Sequence, residues 1–198
     1  MSSLVSADIR AAGLVAFPPG GEAATPALLL QRGCALRPAD SSDLPFLRAL
    51  YGAVRADELA AIPWSQPQKQ AFLDSQFALQ HHHYVTQFPA AGFWLIEQHA
   101  TPVGRFYLLN EAPDFLIIDI SLLPQWRGIG IGGALIADAQ QAAQAAGAGV
   151  KLHVAQRNAA ARRLYQRLGF VASGQDGPYA EMRWADSTGN AGGQLKTA

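Results

Sequence analysis

The segment DFLIIDISLLPQWRGIGIGG, residues 114–133, constrains the fold of this chain more than any other. It begins as the most apolar run in the sequence, which reads as a central strand buried on both faces. Pro124 stops that strand, because proline has no amide to continue a ladder. Glycines follow at 128, 130, 132 and 133. An alanine-rich run with Ile131, Leu135, Ala139 and Ala142 on one face then predicts a helix to about Ala146. A strand, a glycine turn and a helix in that order bring free backbone amides and the positive end of a helix dipole to one point, which suits an anion.

Two kinds of phosphate loop compete for these glycines. Gly128-x-Gly130-x-x-Gly133 matches a dinucleotide-binding fingerprint, which also requires an acidic residue about 20 positions on, at the end of the next strand. Asp138 falls inside the helix, and no Asp or Glu follows it until Asp176. The next strand, VKLHVAQRN, ends in Gln, Arg and Asn. No Gly-Lys-Ser/Thr is present, so a P-loop is excluded. The phosphate logic itself survives. Residues 125–170 hold six basic side chains, Arg127, Lys151, Arg157, Arg162, Arg163 and Arg167, against the single acid Asp138.

With 198 residues and 49% hydrophobic content, the chain can bury one core. Fifteen basic and fifteen acidic residues balance, which argues against bulk electrostatic binding to nucleic acid or to an anionic membrane. The one cysteine, Cys34, cannot form an internal disulfide and reads as a small buried residue near a strand start. No window approaches the roughly 20 apolar residues that span a bilayer, and the N-terminus lacks a signal-peptide pattern. A soluble, cytoplasmic protein is expected. Residues 1–30 read as a flexible arm, 31–185 as the folded domain and 186–198 as a flexible tail.

Inside the domain, CALRP is a short strand. DSSDLPFLRALYGAVRADELA opens a helix capped by Ser41 or Ser42, with Leu47, Tyr51 and Val54 on one face. QPQKQAFLDSQFALQHHHY is a second helix, with Phe72 and Phe77 read as core. GFWLIEQ and PVGRFYLLN form a hairpin across HATP. After the glycine helix come the strand VKLHV, the helix NAAARRLYQRL closed by Gly169, and two last strands. The order is strand, two helices, three strands, helix, strand, helix, strand, strand: α/β with a mixed, largely antiparallel sheet flanked by helices. His81, His82 and His83 cannot share a metal ion, since neighbours on a helix point about 100° apart, and no metal site is expected.

Residues 115–170 resemble the core of the GNAT N-acetyltransferase superfamily. The matching pieces are ISLLP, QWRGIGIGGALI, LHV, and Asn158-x-x-Ala161-x-x-x-Tyr165-x-x-x-Gly169-Phe170, in that order. The resemblance implies splayed central strands with acetyl-CoA, the acetyl donor, lying in the notch. Its pantetheine arm would pair with the backbone from Ile120 to Leu122, and the Leu122 amide would polarise the acetyl carbonyl. Gln125, Arg127, Gly128, Gly130, Gly132 and Gly133 would hold the pyrophosphate. Glycine at 128 and 130 would allow its close approach, whereas Gly132 and Gly133 suit contact or tight helix packing equally. Asn158 resembles an asparagine that bonds the cofactor arm, and also suits a helix cap. Tyr165 resembles the acid that protonates the CoA thiolate.

An amine acceptor must lose a proton before it attacks. His153 and Asp119 are candidates for that base. Asp119, a charge in an apolar strand, equally suits a structural partner for a buried donor. The acceptor is expected against the first two helices and the loop between them. The implied function is transfer of an acetyl group to a primary amine of a small molecule, protein N-terminus or lysine. The alternative is a non-catalytic acyl-CoA-binding module, and the resemblance leaves a homodimer open.

Overall fold

A computed structural model describes residues 13–21 and 24–185. The elements are α1 (Ala27–Leu30), β1 (Cys34–Pro38), α2 (Leu44–Ala60), α3 (Gln66–Gln87), β2 (Gly92–Gln98), β3 (Thr101–Leu109), β4 (Asp114–Leu122), α4 (Ile131–Ala145), β5 (Gly149–Ala155), α5 (Ala159–Arg167), β6 (Val171–Asp176) and β7 (Tyr179–Trp184). The strands form a seven-stranded sheet in the order β1-β2-β3-β4-β5-β7-β6. β4 and β5 are parallel; the β1–β2, β2–β3, β5–β7 and β6–β7 pairs are antiparallel. This is the mixed, largely antiparallel arrangement that the element order implies.

The residues divide into two compact units. One takes the described residues up to Leu109 together with Ile118–Ala134. α2 starts after a 3-10 turn, Ser41–Asp43, where Asp40 and Asp43 form a reciprocal capping box. Asp40 thus caps the 3-10 turn, and the residue at the N-cap of α2 is Asp43, not Ser41 or Ser42. A second box, Ser65 with Gln68, starts α3. Leu44, Leu47, Tyr51, Phe77 and Val85 bury against Phe93, Leu95 and Tyr107 of the sheet. Each fully buried side chain of this kind is worth about 2 kcal/mol of transfer free energy. Phe72, read as core, is instead 40% exposed, and Val54, placed on one face with Leu47 and Tyr51, is 38% exposed. Phe72 meets Trp64 edge to face, with ring centroids 5.3 Å apart. The β2–β3 turn sets His99 and Ala100 in left-handed backbone (φ 47° and 62°), the geometry of a tight hairpin.

The reading of residues 1–30 as a flexible arm does not fit those of them that are described. Leu29 is fully buried. Phe17 packs edge-on to His81, centroids 4.9 Å apart, and Thr25 Oγ1 accepts from the Leu36 amide at 2.9 Å. The apolar residues Leu14, Val15 and Phe17 pack against the core around Tyr107 and Phe77, so the segment has apolar surface to bury despite its Pro and Gly content. Residues 1–12 and the expected tail 186–198 lie outside the described residues.

The other unit comprises, among the described residues, Asn110–Ile117 and the chain from Leu135 to residue 185. Its β5–β7 ladder runs from Val150↔Trp184 to Ala155↔Tyr179. Arg183 holds Asp114 at 2.8 Å, anchoring the first residue of β4. Gln140 of α4 donates to the Leu168 carbonyl at 2.8 Å, satisfying a free carbonyl beyond α5. The predicted stop at Gly169 is present, with φ 84°. No helix among the described residues is long and apolar enough to cross a membrane.

Candidate active site

The C-terminal end of β4 belongs to the first unit. Leu123 donates its amide to the Val103 carbonyl of β3 at 2.9 Å. Amides of alternate strand residues point to opposite edges. Those of Ser121 and Leu123 therefore face β3, and those of Ile120 and Leu122 point away from it. The register of β4 with β5 runs from Asp114↔Gly149 to Ile117↔Leu152, before these residues are reached.

Beyond β4, a 3-10 turn (Pro124–Trp126) leads into the glycine loop. Arg127 folds back, and its Nε donates to the Leu122 carbonyl at 2.9 Å. Gly128 and Gly130 have φ of 77° and 91°, a region that side chains strain to enter. The Gly130 carbonyl accepts from Ala134 at 3.0 Å, opening α4. The amides of Ile131, Gly132 and Gly133 thus fall in the first turn, where a helix offers them no acceptor. A Cβ on Gly128 or Gly133 would meet nothing within 4 Å, and one on Gly132 would make ordinary contact with Ile120 Cδ1 at 3.6 Å. Tight helix packing therefore does not explain Gly132 or Gly133. Backbone conformation does explain Gly128 and Gly130.

Asp119 is enclosed by donors. Arg105 Nε reaches its Oδ1 at 3.1 Å and Nη2 its Oδ2 at 2.7 Å. Tyr84 Oη donates to Oδ2 at 3.1 Å and Ser121 Oγ to Oδ1 at 2.6 Å. Gln80 Oε1 accepts a further Arg105 proton at 2.7 Å. The pair is nearly dry, with side-chain exposures of 4% for Arg105 and 11% for Asp119. Burial pulls the Arg105 pKa down, and Asp119, Tyr107 and Tyr84 more than reverse it. Burial also drives the Tyr84 and Tyr107 hydroxyls up. The Tyr107 hydroxyl makes no hydrogen bond among the described residues; Arg105 lies over its ring, 5.3 Å from the centroid. Of the two roles open to Asp119, this geometry matches the structural one. Its oxygens are already committed to partners.

In the second unit, His153 of β5 stands opposite Glu181 of β7. Its Nε2 lies 3.6 Å from Glu181 Oε2, and its side chain is 40% exposed. Asn158 caps α5 by accepting from the Ala161 amide at 3.1 Å. Tyr165 is buried on α5, with its ring centroid 5.9 Å from that of Phe170. Asp138 of α4 has its carboxyl pushed up by burial.

The model of the acetyltransferase (GNAT) family matches residues 55–170. The chain belongs to the GNAT acetyltransferase family. Solved GNAT structures share its fold at low identity. PaiA N-acetyltransferase from Thermoplasma acidophilum, in complex with coenzyme A, is 18% identical over 77% of this chain and 99% of its own, with a TM-score of 0.59. A chimera of spermidine N-acetyltransferase SpeG from Vibrio cholerae and hSSAT is 23% identical over 79% and 97%, with a TM-score of 0.54. An acetyltransferase from Thermus thermophilus is 19% identical over 76% and 95%, with a TM-score of 0.53. No curated protein matches the chain. As a GNAT acetyltransferase, it uses acetyl-CoA as its acyl donor.

Among the residues singled out from sequence, the first unit of this GNAT domain gathers Asp119, Ile120, Leu122, Gln125, Arg127, Gly128, Gly130, Gly132 and Gly133; the second holds His153, Asn158 and Tyr165. Sequence reasoning missed Arg105 as the partner of Asp119, and Arg32, which contacts the glycine loop. Arg105 had a signal: GRFYLL carries one charge inside an apolar strand, opposite in sign to Asp119 in another. Arg32 had none, since it lies 97 residues from Ile129, the loop residue it contacts.

Proposed function

We propose that this GNAT acetyltransferase moves the acetyl group of acetyl-CoA directly onto a primary amine, of a small molecule or of a protein N-terminus or lysine, within a ternary complex. The observation that carries this reading is the pair of amides, Ile120 and Leu122, that face away from β3 just ahead of the glycine loop. Backbone at these positions can pair with the pantetheine arm. The loop amides and the start of α4 then receive the pyrophosphate, as the glycine geometry favours.

The amine nitrogen attacks the acetyl carbonyl carbon, and the oxygen gains charge that the Leu122 amide would stabilise. The C–S bond breaks, Tyr165 gives its hydroxyl proton to the departing thiolate, and the proton of the attacking nitrogen passes to a base. His153 is the better base candidate. Its ring reaches solvent, and its Nε2 lies 3.6 Å from Glu181 Oε2, which can orient the imidazole. Asp119 instead serves as the counter-charge of the buried Arg105. Asn158, while capping α5, retains an amide NH2 to offer the cofactor arm.

The test is CoA thiol release across an amine panel, with cofactor binding measured in parallel. Active amines should appear, and Tyr165→Phe should lower kcat by at least about tenfold with little change in acetyl-CoA affinity. Tight acetyl-CoA binding with no transfer to any amine would favour a non-catalytic acyl-CoA-binding role. Equal turnover in wild type and Tyr165→Phe would remove Tyr165 from the mechanism.

A further inference from the structure

The glycine loop is held by a residue from the far end of the chain. Arg32 follows α1, whose Leu29 is fully buried. Its backbone is pinned on both sides: its amide donates to the Leu29 carbonyl at 2.9 Å, and its carbonyl accepts from Gln98 Nε2 at 3.3 Å. From this fixed base the guanidinium Nη1 donates to the Ile129 carbonyl. The carbonyl and amide of a trans peptide point in opposite directions. Holding the Ile129 carbonyl therefore fixes where the next amide, that of Gly130, points: away from Arg32.

That peptide needs holding. Ile129 sits between two glycines in left-handed backbone, and glycine restricts its own rotation little. A Cβ on Gly130 would come within 2.9 Å of Arg32 Nη1, so the missing side chain leaves room for the guanidinium as well as permitting the backbone. Arg32 also lies outside residues 55–170, the span of the family match. We propose that Arg32 is a positioning residue for acetyl-CoA. It aims the Gly130 amide at the pyrophosphate and places a full positive charge behind the loop. The proposal rests on the reading that this loop binds the pyrophosphate.

The experiment compares two ligands, acetyl-CoA and S-acetylpantetheine, which lacks the pyrophosphate together with the 3′-phosphoadenosine. Calorimetry gives the affinity of each for wild type, Arg32→Ala and the milder Arg32→Gln, with melting temperature recorded for every variant. Wild type should prefer acetyl-CoA strongly. Both variants should fold, bind S-acetylpantetheine as wild type does, and lose about tenfold in acetyl-CoA affinity. An undiminished preference for acetyl-CoA in both variants would overturn the role of Arg32 alone. An equal loss for both ligands would also overturn it, since Arg32 would then act on the fold at large. A wild type that does not distinguish the two ligands would instead remove the pyrophosphate reading of the loop.

Discussion

Gly133→Ala separates two reasons for a glycine that are usually entangled. A Cβ at Gly133 meets nothing within 4 Å, and the residue lies in the first turn of α4. Alanine exceeds glycine in helix propensity by about 1 kcal/mol in a helix interior. With the smaller benefit of a first-turn position, about 0.5 kcal/mol of stabilisation is expected. For a chain of this size that raises the melting temperature by roughly 1–2 °C. The methyl group would nevertheless stand beside an amide assigned to the pyrophosphate. Loss of one hydrogen bond to a charged group costs about 1.5–3 kcal/mol, a roughly 10- to 150-fold weaker Kd for acetyl-CoA. Thermal melting and calorimetry on the same preparation read both effects. Stability should rise while affinity falls. Gly130→Ala, strained by its φ of 91° and crowded by Arg32, should lower both. A stabilised Gly133→Ala that binds acetyl-CoA like wild type would refute the assignment of that amide to the anion.

Two further perturbations probe the first unit. Asp119→Ala leaves Arg105 buried without its counter-charge and should cost about 3–5 kcal/mol in urea unfolding. The double variant Arg105→Met/Asp119→Leu should recover most of that loss, whereas a stable but inactive Asp119→Ala would return Asp119 to the chemistry as a base. His81 is buried, and its Nε2 lies 2.7 Å from the Val15 carbonyl. Burial holds its imidazole below the ordinary range, the Val15 contact opposing this only in part. As pH falls below about 6.5 the unfolded chain takes up this proton before the folded one does. The unfolded state then binds more protons, so stability declines with pH in that window. Melting between about pH 7.5 and 5.5 should show this decline in wild type and flatten in His81→Gln; parallel curves would discount His81 as its source.

How far the sequence could be read follows from the range of the interactions involved. α4 was legible because its signals are local: Pro124 ends a strand, glycines turn the chain, and apolar residues recur at helical spacing. The same periodicity overreached at Val54 and Phe72, because helical spacing defines a face but not where along the helix the neighbouring core ends. It also missed the packing of Leu14, Val15 and Phe17 against the core, because these side chains are too few and too irregular to show a period, and gain a place only when α3 and the sheet supply one. In the candidate site, Gly128 and Gly130 were read correctly as special and for an incomplete reason. They had been assigned to the ligand's approach, yet the left-handed backbone already requires them without any ligand. Gly132 and Gly133 carry the reverse lesson. Nothing in the fold requires the absence of their side chains, so if selection holds glycine there, the reason lies in what the loop binds, and the two alanine variants at 130 and 133 should therefore fail in different ways.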